Sequence, residues 1–404
     1  MSILILGGGA SGLAAAISAA QRGADVCLCE RAARVGRKIL ASGNGRCNIS
    51  NESVAPEVYH GDPAFLRAVF EALPPQETRG FLENLGLVFA HEEGRLYPYS
   101  FAAASALDVL RLSLEREGVR VEYDRCAVSI QPSRKGGFSA AFSDGSAMRA
   151  DKIICAMGGK AAPHLGTDGT GLSILSELGH RVTPLYPALV QLRCRHSALK
   201  SLKGVRVRAL LTLSMSQSGD ISESGEVLFT DYGVSGVAVF QLSRHAAAAL
   251  ARGEDVRLFI NLWPEMTPET LEKRAALFGT QGADALFTGV FHRLVAQAVL
   301  RQARVENISC SQLTDAQIEA ILRAAQGFAL SVTGTQSFEQ AQVTAGGVST
   351  DEIDPRTFES RLYPGLYITG ESVDVDGPCG GYNLHFAFTS GILAGRAAAE
   401  GSMA

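Results

Sequence analysis

The residues most able to do chemistry lie at the two ends of the chain. Near the start, Gly7-Gly8-Gly9-Ala10-Ser11-Gly12 has the G-x-G-x-x-G spacing of a diphosphate-binding turn. Gly7 permits a tight turn, Gly9 lets the backbone approach a pyrophosphate, and Gly12 lets helix and strand pack closely. The backbone N–H groups of Ala10 and Ser11, at a helix start, then face the phosphates. Glu30 ends the next apolar run, where a carboxylate can accept hydrogen bonds from an adenosine ribose.

A second group of residues decides which dinucleotide is expected. The apolar run Ile153-Ile154-Cys155-Ala156-Met157-Gly158 ends in small residues, so a cofactor can pass close to Ala156 and Gly158. The strand Leu366-Tyr367-Ile368-Thr369 ends in Gly370-Glu371, an acid placed to meet a ribityl or phosphate-linked hydroxyl. A nicotinamide dinucleotide does not need this distal contact, whereas an extended FAD does. Beyond it, Asp376, Gly380, Gly381, Tyr382 and Asn383 run into a helix whose positive end can face the flavin N1 and C2 carbonyl and favour hydride uptake at N5.

A basic, glycine-rich stretch adds further candidates. Arg37, Lys38 and Arg46 can neutralise a diphosphate, and Ser42, Gly43, Asn44 and Asn48 can meet the ribityl chain or the ring. Cys47 is a candidate ring contact. With no second cysteine nearby in the sequence, the alternative of an inert structural thiol is favoured. For catalysis itself, Tyr382 with Asn383 and, further along the chain, Asp231 are the chosen residues; Tyr97, Asp376 and His385 are further candidates for moving a proton.

The elements that must position these groups follow from pattern. Ile3-Leu4-Ile5-Leu6 is a doubly covered strand, residues 13–22 form an alanine-rich helix, and residues 25–30 form a second strand, which completes a βαβ unit. Helical periods cover residues 63–73 and 105–117, separated by an irregular stretch containing Gly94-Arg95-Leu96-Tyr97-Pro98. Residues 119–149 read as an antiparallel meander with turns at Lys135-Gly136-Gly137 and Asp144-Gly145-Ser146. Residues 189–213 and 226–242 read as strands, a helical stretch follows to about 326, and the chain ends in a strand and a long helix from about 383. The glycine-rich Gly166-Thr167-Asp168-Gly169-Thr170-Gly171 reads as a loop lining the first domain.

Composition bounds the function. A chain of 404 residues with a net charge of −4 presents no overall field for a polyanion, so nucleic acid is not the expected partner and a small molecule is. The eight cysteines form no C-x-x-C pair and no zinc-ligand cluster, so no metal is expected and the thiols read as reduced, in a cytoplasmic protein. The uncharged N-terminal run has no basic n-region, and Gly7, Gly8 and Gly9 interrupt it, so neither a signal peptide nor a spanning helix is expected. Serine-nucleophile, phosphate-loop and H-E-x-x-H motifs are missing, and no second G-x-G-x-x-G marks a dedicated NAD(P) domain.

Taken together, the segments at 7–12, 36–51, 94–100, 188–192, 225–236, 345–353 and 370–387 resemble the bacterial BaiN-like, aminoacetone-oxidase-like FAD-dependent oxidoreductases (the YhiN-type flavoproteins) over nearly the whole chain. The resemblance implies an α/β fold with three parts. A discontinuous, glutathione-reductase-like Rossmann-type FAD-binding domain would span 1–188 and 336–404, an inserted β-barrel 189–262 and about 328–335, and a small helical domain 263–327. It also implies FAD contacts at the glycine loop, Glu30, Arg37, Lys38, Asn44 and residues 370–383. The sequence departs from the family at Asp231, Cys379 and His385, where His, Thr and Gln are commoner. The expected reaction is hydride transfer through flavin N5 on a small or steroid-like carbonyl, enone or amine, with NAD(P)H as a candidate transient donor. The alternatives are an RNA-modifying flavoenzyme, drawing on Arg193, Arg195, Lys200, Lys203, Arg206 and Arg208, a nicotinamide-only dehydrogenase and a non-catalytic flavin-binding protein. The oligomeric state is left open.

Overall fold

The computed structural model describes residues 1–134 and 136–400; Lys135, in one of the expected turns, lies outside them. Two compact units form, one from Met1–Tyr186 with Gln342–Ala404 and one from Pro187–Ala341.

The first unit is built on five parallel strands in the order Leu366–Ile368, Lys152–Cys155, Ser2–Leu6, Asp25–Cys29, Arg120–Glu122. Ile3, Leu4, Ile5, Leu6, Ile153 and Ile154 are buried, as expected of strands covered on both faces. Two helices, Ala10–Ala20 and Tyr382–Ala399, cross on one face of the sheet. Their alanine and glycine content is a packing requirement: a Cβ on Gly391 would meet the Ser11 carbonyl oxygen at 2.2 Å, and one on Gly395 the Ala15 oxygen at 2.4 Å. Ser18 Oγ adds a bond to the Ile392 carbonyl at 3.3 Å.

Three expectations for this unit need correction. The segment Arg120–Glu122 joins the parallel sheet, because its backbone continues the ladder beside Asp25–Cys29; the antiparallel meander is Ala127–Pro132, Phe138–Phe142 and Ala147–Ala150. The stretch read as irregular is a hairpin of Phe89–Glu92 and Arg95–Pro98, turned by Glu93 and Gly94 at φ +51° and +76°, and Ser50–Asn51 pairs with its second strand. A helix at Pro75–Asn84 went unread because only Thr78, Phe81 and Leu82 of it are buried.

The second unit is a closed six-stranded barrel, in the order Leu192–Arg195, Gly233–Ser235, Gly219–Phe229, Arg206–Met215, Val256–Asn261, Phe328–Thr335. Helices Pro268–Phe278, Arg293–Ala303 and Asp315–Gln326 accompany it. The strand expected through residue 242 gives way to a helix, Val237–Ala251, whose buried Ala238, Val239, Leu242, Ala246 and Ala249 follow a helical period. Among the described residues no helix is long and apolar enough to cross a membrane, and no cluster of His, Cys, Asp or Glu could hold a metal.

Candidate active site

The strand Ser2–Leu6 delivers the chain into the glycine turn. Gly7 adopts φ +107°, and a Cβ there would meet the Ala156 carbonyl oxygen at 2.4 Å. A Cβ on Gly12 would lie 1.9 Å from the Gly7 oxygen, so the helix can start this close to the strand only without side chains. Gly9 faces open space: a Cβ on it would meet nothing within 4 Å. It also caps the helix without any side-chain bond, which leaves the first-turn N–H groups for a ligand. Glu30 is buried at the end of its strand, where Oε2 accepts from Gly8 N and Oε1 from Ala32 N, both at 2.8 Å. Burial pushes its carboxyl above the ordinary range despite those bonds.

These residues open onto a cleft that, with the open solvent at its mouth included, spans about 830 Å³. Of the residues expected to hold the cofactor, Gly7, Gly9, Glu30, Arg37, Lys38, Ala156, Gly158 and Glu371 line it. The stretch at 166–171 lines it at Gly166, Thr167, Asp168, Thr170 and Gly171, the last two opening a helix, Thr170–Glu177, rather than continuing the expected loop. Thr167 Oγ1 fixes the opposite wall by donating to the Met157 and Gly159 carbonyls at 3.0 and 2.5 Å. Arg31, Arg125 and Cys126, which also line it, carry no signal in the sequence. Arg31 pairs with Asp168 at 2.8 Å, and the one sequence signal for this was the Asp within the glycine-rich loop. A cleft with an acid at one end, uncapped amides at its floor and Arg31, Arg37 and Lys38 on its rim fits the adenosine and diphosphate of FAD.

The C-terminal segment meets this loop. Lys38 Nζ lies 2.6 Å from Glu371 Oε2, while Glu371 Oε1 accepts from Thr344 N at 2.9 Å. Gly370 N donates to Ser390 Oγ at 2.9 Å, and a Cβ on Gly370 would be 2.7 Å from Ser11 Oγ. Along the last helix, Tyr382 precedes Gly391, the residue seated on Ser11, by a rise of about 14 Å. The helix start therefore lies well beyond the diphosphate turn, at the reach needed for the ribityl chain and ring of an extended cofactor.

That helix start is held by several bonds but does not line the cleft. Gly380 and Gly381 adopt φ +131° and +94°, and a Cβ on Gly381 would meet the Ser50 oxygen at 2.4 Å. The Asn48 carboxamide, oriented to donate to Ser50 O at 2.9 Å, accepts from Gly381 N at 3.2 Å. Asn51 Nδ2 donates to Gly380 O at 3.0 Å. Tyr382 is buried, its carbonyl accepts from Tyr59 OH at 2.9 Å, and its ring meets the Tyr59 ring edge-on. Burial raises the Tyr382 phenol above its ordinary value, so it keeps its proton. Behind it, His385 Nδ1 lies 2.8 Å from Ser50 Oγ, and burial lowers the imidazole to about 3.

Other expected site residues are used differently. Asn383 was paired with Tyr382 for catalysis, but its carboxamide is spent on the loop: Oδ1 accepts from Gly377 N at 2.8 Å and Nδ2 donates to Gly377 O at 2.7 Å. Cys47 is fully buried among Ile39, Ile49, Leu87 and Phe388, and burial pushes its thiol up to about 11, so it is an inert core thiol and no ring contact. Ser42 Oγ donates to Ile39 O at 2.7 Å, and Gly43 and Asn44 form an exposed left-handed turn away from the cleft lining. Arg46 lies over Tyr97 and Phe101 and makes two bonds to Glu92, at 3.0 and 2.6 Å. Asp376 is buried, and its backbone forms a bridge with His60. Asp231 belongs to the barrel unit, where its exposed carboxylate pairs with Lys203 at 2.6 Å; no catalytic role is assigned to it.

Comparison with known proteins identifies the family. The family model described as HI0933-like protein Rossmann domain matches residues 1–397. The chain is 40% identical to a 3-dehydro-bile acid delta(4,6)-reductase of Clostridium scindens, over 98% of both chains. It is 31% identical to a ribosomal RNA dihydrouridine synthase of Escherichia coli, over 96% of this chain and 95% of that one. Among solved structures, an Escherichia coli quinol fumarate reductase superposes with a TM-score of 0.51 at 16% identity, over 99% of this chain and 70% of that one, a likeness of fold alone. The chain belongs to the HI0933-like Rossmann family, and within it is a BaiN-like FAD-dependent oxidoreductase.

Proposed function

We propose that this enzyme reduces a carbon–carbon double bond conjugated to a carbonyl in a steroid-like acid, adding hydride at the β-carbon and a proton at the α-carbon. FAD, when bound, supplies the hydride equivalent at N5, and NAD(P)H is the proposed donor that restores it. In this reading Gly7, Gly9, Glu30, Arg37, Lys38, Ala156, Gly158, Gly370 and Glu371 hold the cofactor, while Asn48, Gly380 and Gly381 present the uncapped helix start to the ring. Tyr382 holds the proton destined for the α-carbon. The observation that carries the proposal is this buried phenol, kept un-ionised on a glycine turn at a helix start. The reductase relative from Clostridium scindens supports the substrate class.

The test is anaerobic. Reduce the yellow protein with NADH or NADPH, add a 3-oxo-4-ene steroid acid, and follow flavin absorbance together with the saturated product. Return of the oxidised spectrum with one saturated product per flavin is expected. A reduced flavin that the enone leaves reduced contradicts the proposal.

A second reading is reduction of a uracil ring in RNA. The Escherichia coli relative favours it, as do Arg193, Arg195 and Arg208, which are exposed on the barrel and form no ion pair among the described residues. Tight, steeply salt-dependent binding of ribosomal RNA, with dihydrouridine formed, would replace the first reading with this one.

A further inference from the structure

The hairpin that the sequence hid arranges three polar side chains in one lateral row. Glu92 opposes Arg95 across the hairpin, and Arg95 opposes Asn51 across the neighbouring pair of strands. Directly opposed residues of antiparallel strands send their side chains to the same face. Asn51 shows where that face looks, since its Nδ2 donates to Gly380 O at 3.0 Å, and a Cβ on Gly380 would meet both Asn51 Nδ2 and the Tyr382 ring.

The two outer members of the row are already engaged. Glu92 gives both oxygens to Arg46, and Asn51 Oδ1 accepts from Ser53 N at 3.0 Å. Between them Arg95 is a half-buried residue whose guanidinium, among the described residues, makes no hydrogen bond and no ion pair. Glu92 is spent on Arg46, so no member of the row pairs with the Arg95 charge, which lies near enough to act on the Tyr382 turn. A planar guanidinium with free parallel donors matches a carboxylate in two-bond geometry. The positive charge also acts on the Tyr382 phenol against the upward push of burial.

We propose that Arg95 anchors the carboxylate of an acidic substrate beside Tyr382 and so makes the enzyme prefer carboxylate-bearing ligands over their neutral counterparts. This rests on the reading of the Tyr382 turn as the substrate face. It asks nothing of Asp231 or of the barrel unit.

The experiment uses the oxidised holoenzyme and two probes, 3-oxo-4-cholenoic acid and its methyl ester, titrated while the flavin difference spectrum is followed. Wild-type enzyme is expected to bind the acid at least about tenfold tighter than the ester. In Arg95→Gln that ratio falls to about one, and in Arg95→Lys, a point charge without the fork, it is intermediate. With wild-type enzyme alone, added KCl weakens the acid and spares the ester. Equal binding of acid and ester by wild type, no spectral response to either, or a ratio that persists in Arg95→Gln overturns the anchor. A variant weakened equally toward both probes marks Arg95 as structural, which also overturns it. Acid that binds with the expected preference yet is not reduced by the reduced enzyme leaves the anchor standing and removes the proposed reaction. Equal reduction of acid and ester does the reverse.

Discussion

Lys38 and Glu371, 333 residues apart in the chain, meet at 2.6 Å on the wall of one cleft. The pair closes the first unit around its ligand site, because Lys38 follows the N-terminal βαβ unit and Glu371 follows the strand Leu366–Ile368. Lys38→Met removes a cation from the diphosphate rim and leaves Glu371 unopposed. The dissociation constant for FAD, measured by quenching of flavin fluorescence, should rise about tenfold. An unchanged constant would remove Lys38 from the binding set.

Gly9 and Gly12 separate binding from folding. A side chain at Gly12 would collide with the Gly7 carbonyl, so Gly12→Ala should lower both thermal stability and flavin content. A side chain at Gly9 would enter open space, with φ at −82°, so Gly9→Ala should leave the melting temperature of the flavin-free protein nearly unchanged. Its flavin affinity should fall about tenfold or more, since the Cβ stands where a pyrophosphate would approach. Full flavin content in Gly9→Ala would contradict this account of the turn.

His385 gives stability a pH dependence of known sign. Its imidazole takes up a proton near pH 3 in the folded chain, against an ordinary value of 6.5, because burial opposes the charge. Between those values the unfolded chain binds a proton that the folded chain does not, so this contribution is lost as pH falls from about 6.5 towards 3. Comparing urea unfolding of wild type and His385→Gln should show wild type losing about 1.4 kcal/mol more per pH unit in that window. Parallel stability curves would mean that the imidazole is accessible to protons.

Tyr382 should act in one half-reaction. Tyr382→Phe keeps the ring packed against Tyr59 and removes only the hydroxyl with its proton. Reduction of the enone should slow about 100-fold while flavin reduction by NAD(P)H keeps its rate. Equal slowing of both halves, in stopped-flow traces, would assign Tyr382 to flavin binding instead.

The parts of this architecture that rest on spacing were readable in the sequence. The turn at Gly7–Gly12, Glu30 at a strand end and the loop at Asp168 follow local rules, and each lines the cleft or supports it. What depended on three-dimensional competition was not readable. Asn383 has the right chemistry for a ring contact, yet Gly377 lies close enough to take both ends of its carboxamide. Cys47 sits in a polar-looking stretch, but its φ of +57° goes with a side chain turned into the core. The apolar residues at 237–242 fit strand and helix equally over so short a run, and only their burial pattern distinguishes the two. Arg95 was passed over because its meaning depends on Asn51 and Glu92, partners set by the hairpin register.

Whether one cofactor joins the two glycine turns is decided by a crystal structure of the yellow holoprotein. Density is expected for one extended FAD, with its adenosine ribose at Glu30, its diphosphate over Gly9 and its ring at the start of the helix Tyr382–Ala399. Flavin density that does not touch both the Gly7–Gly12 turn and the Gly380–Gly381 turn would contradict it.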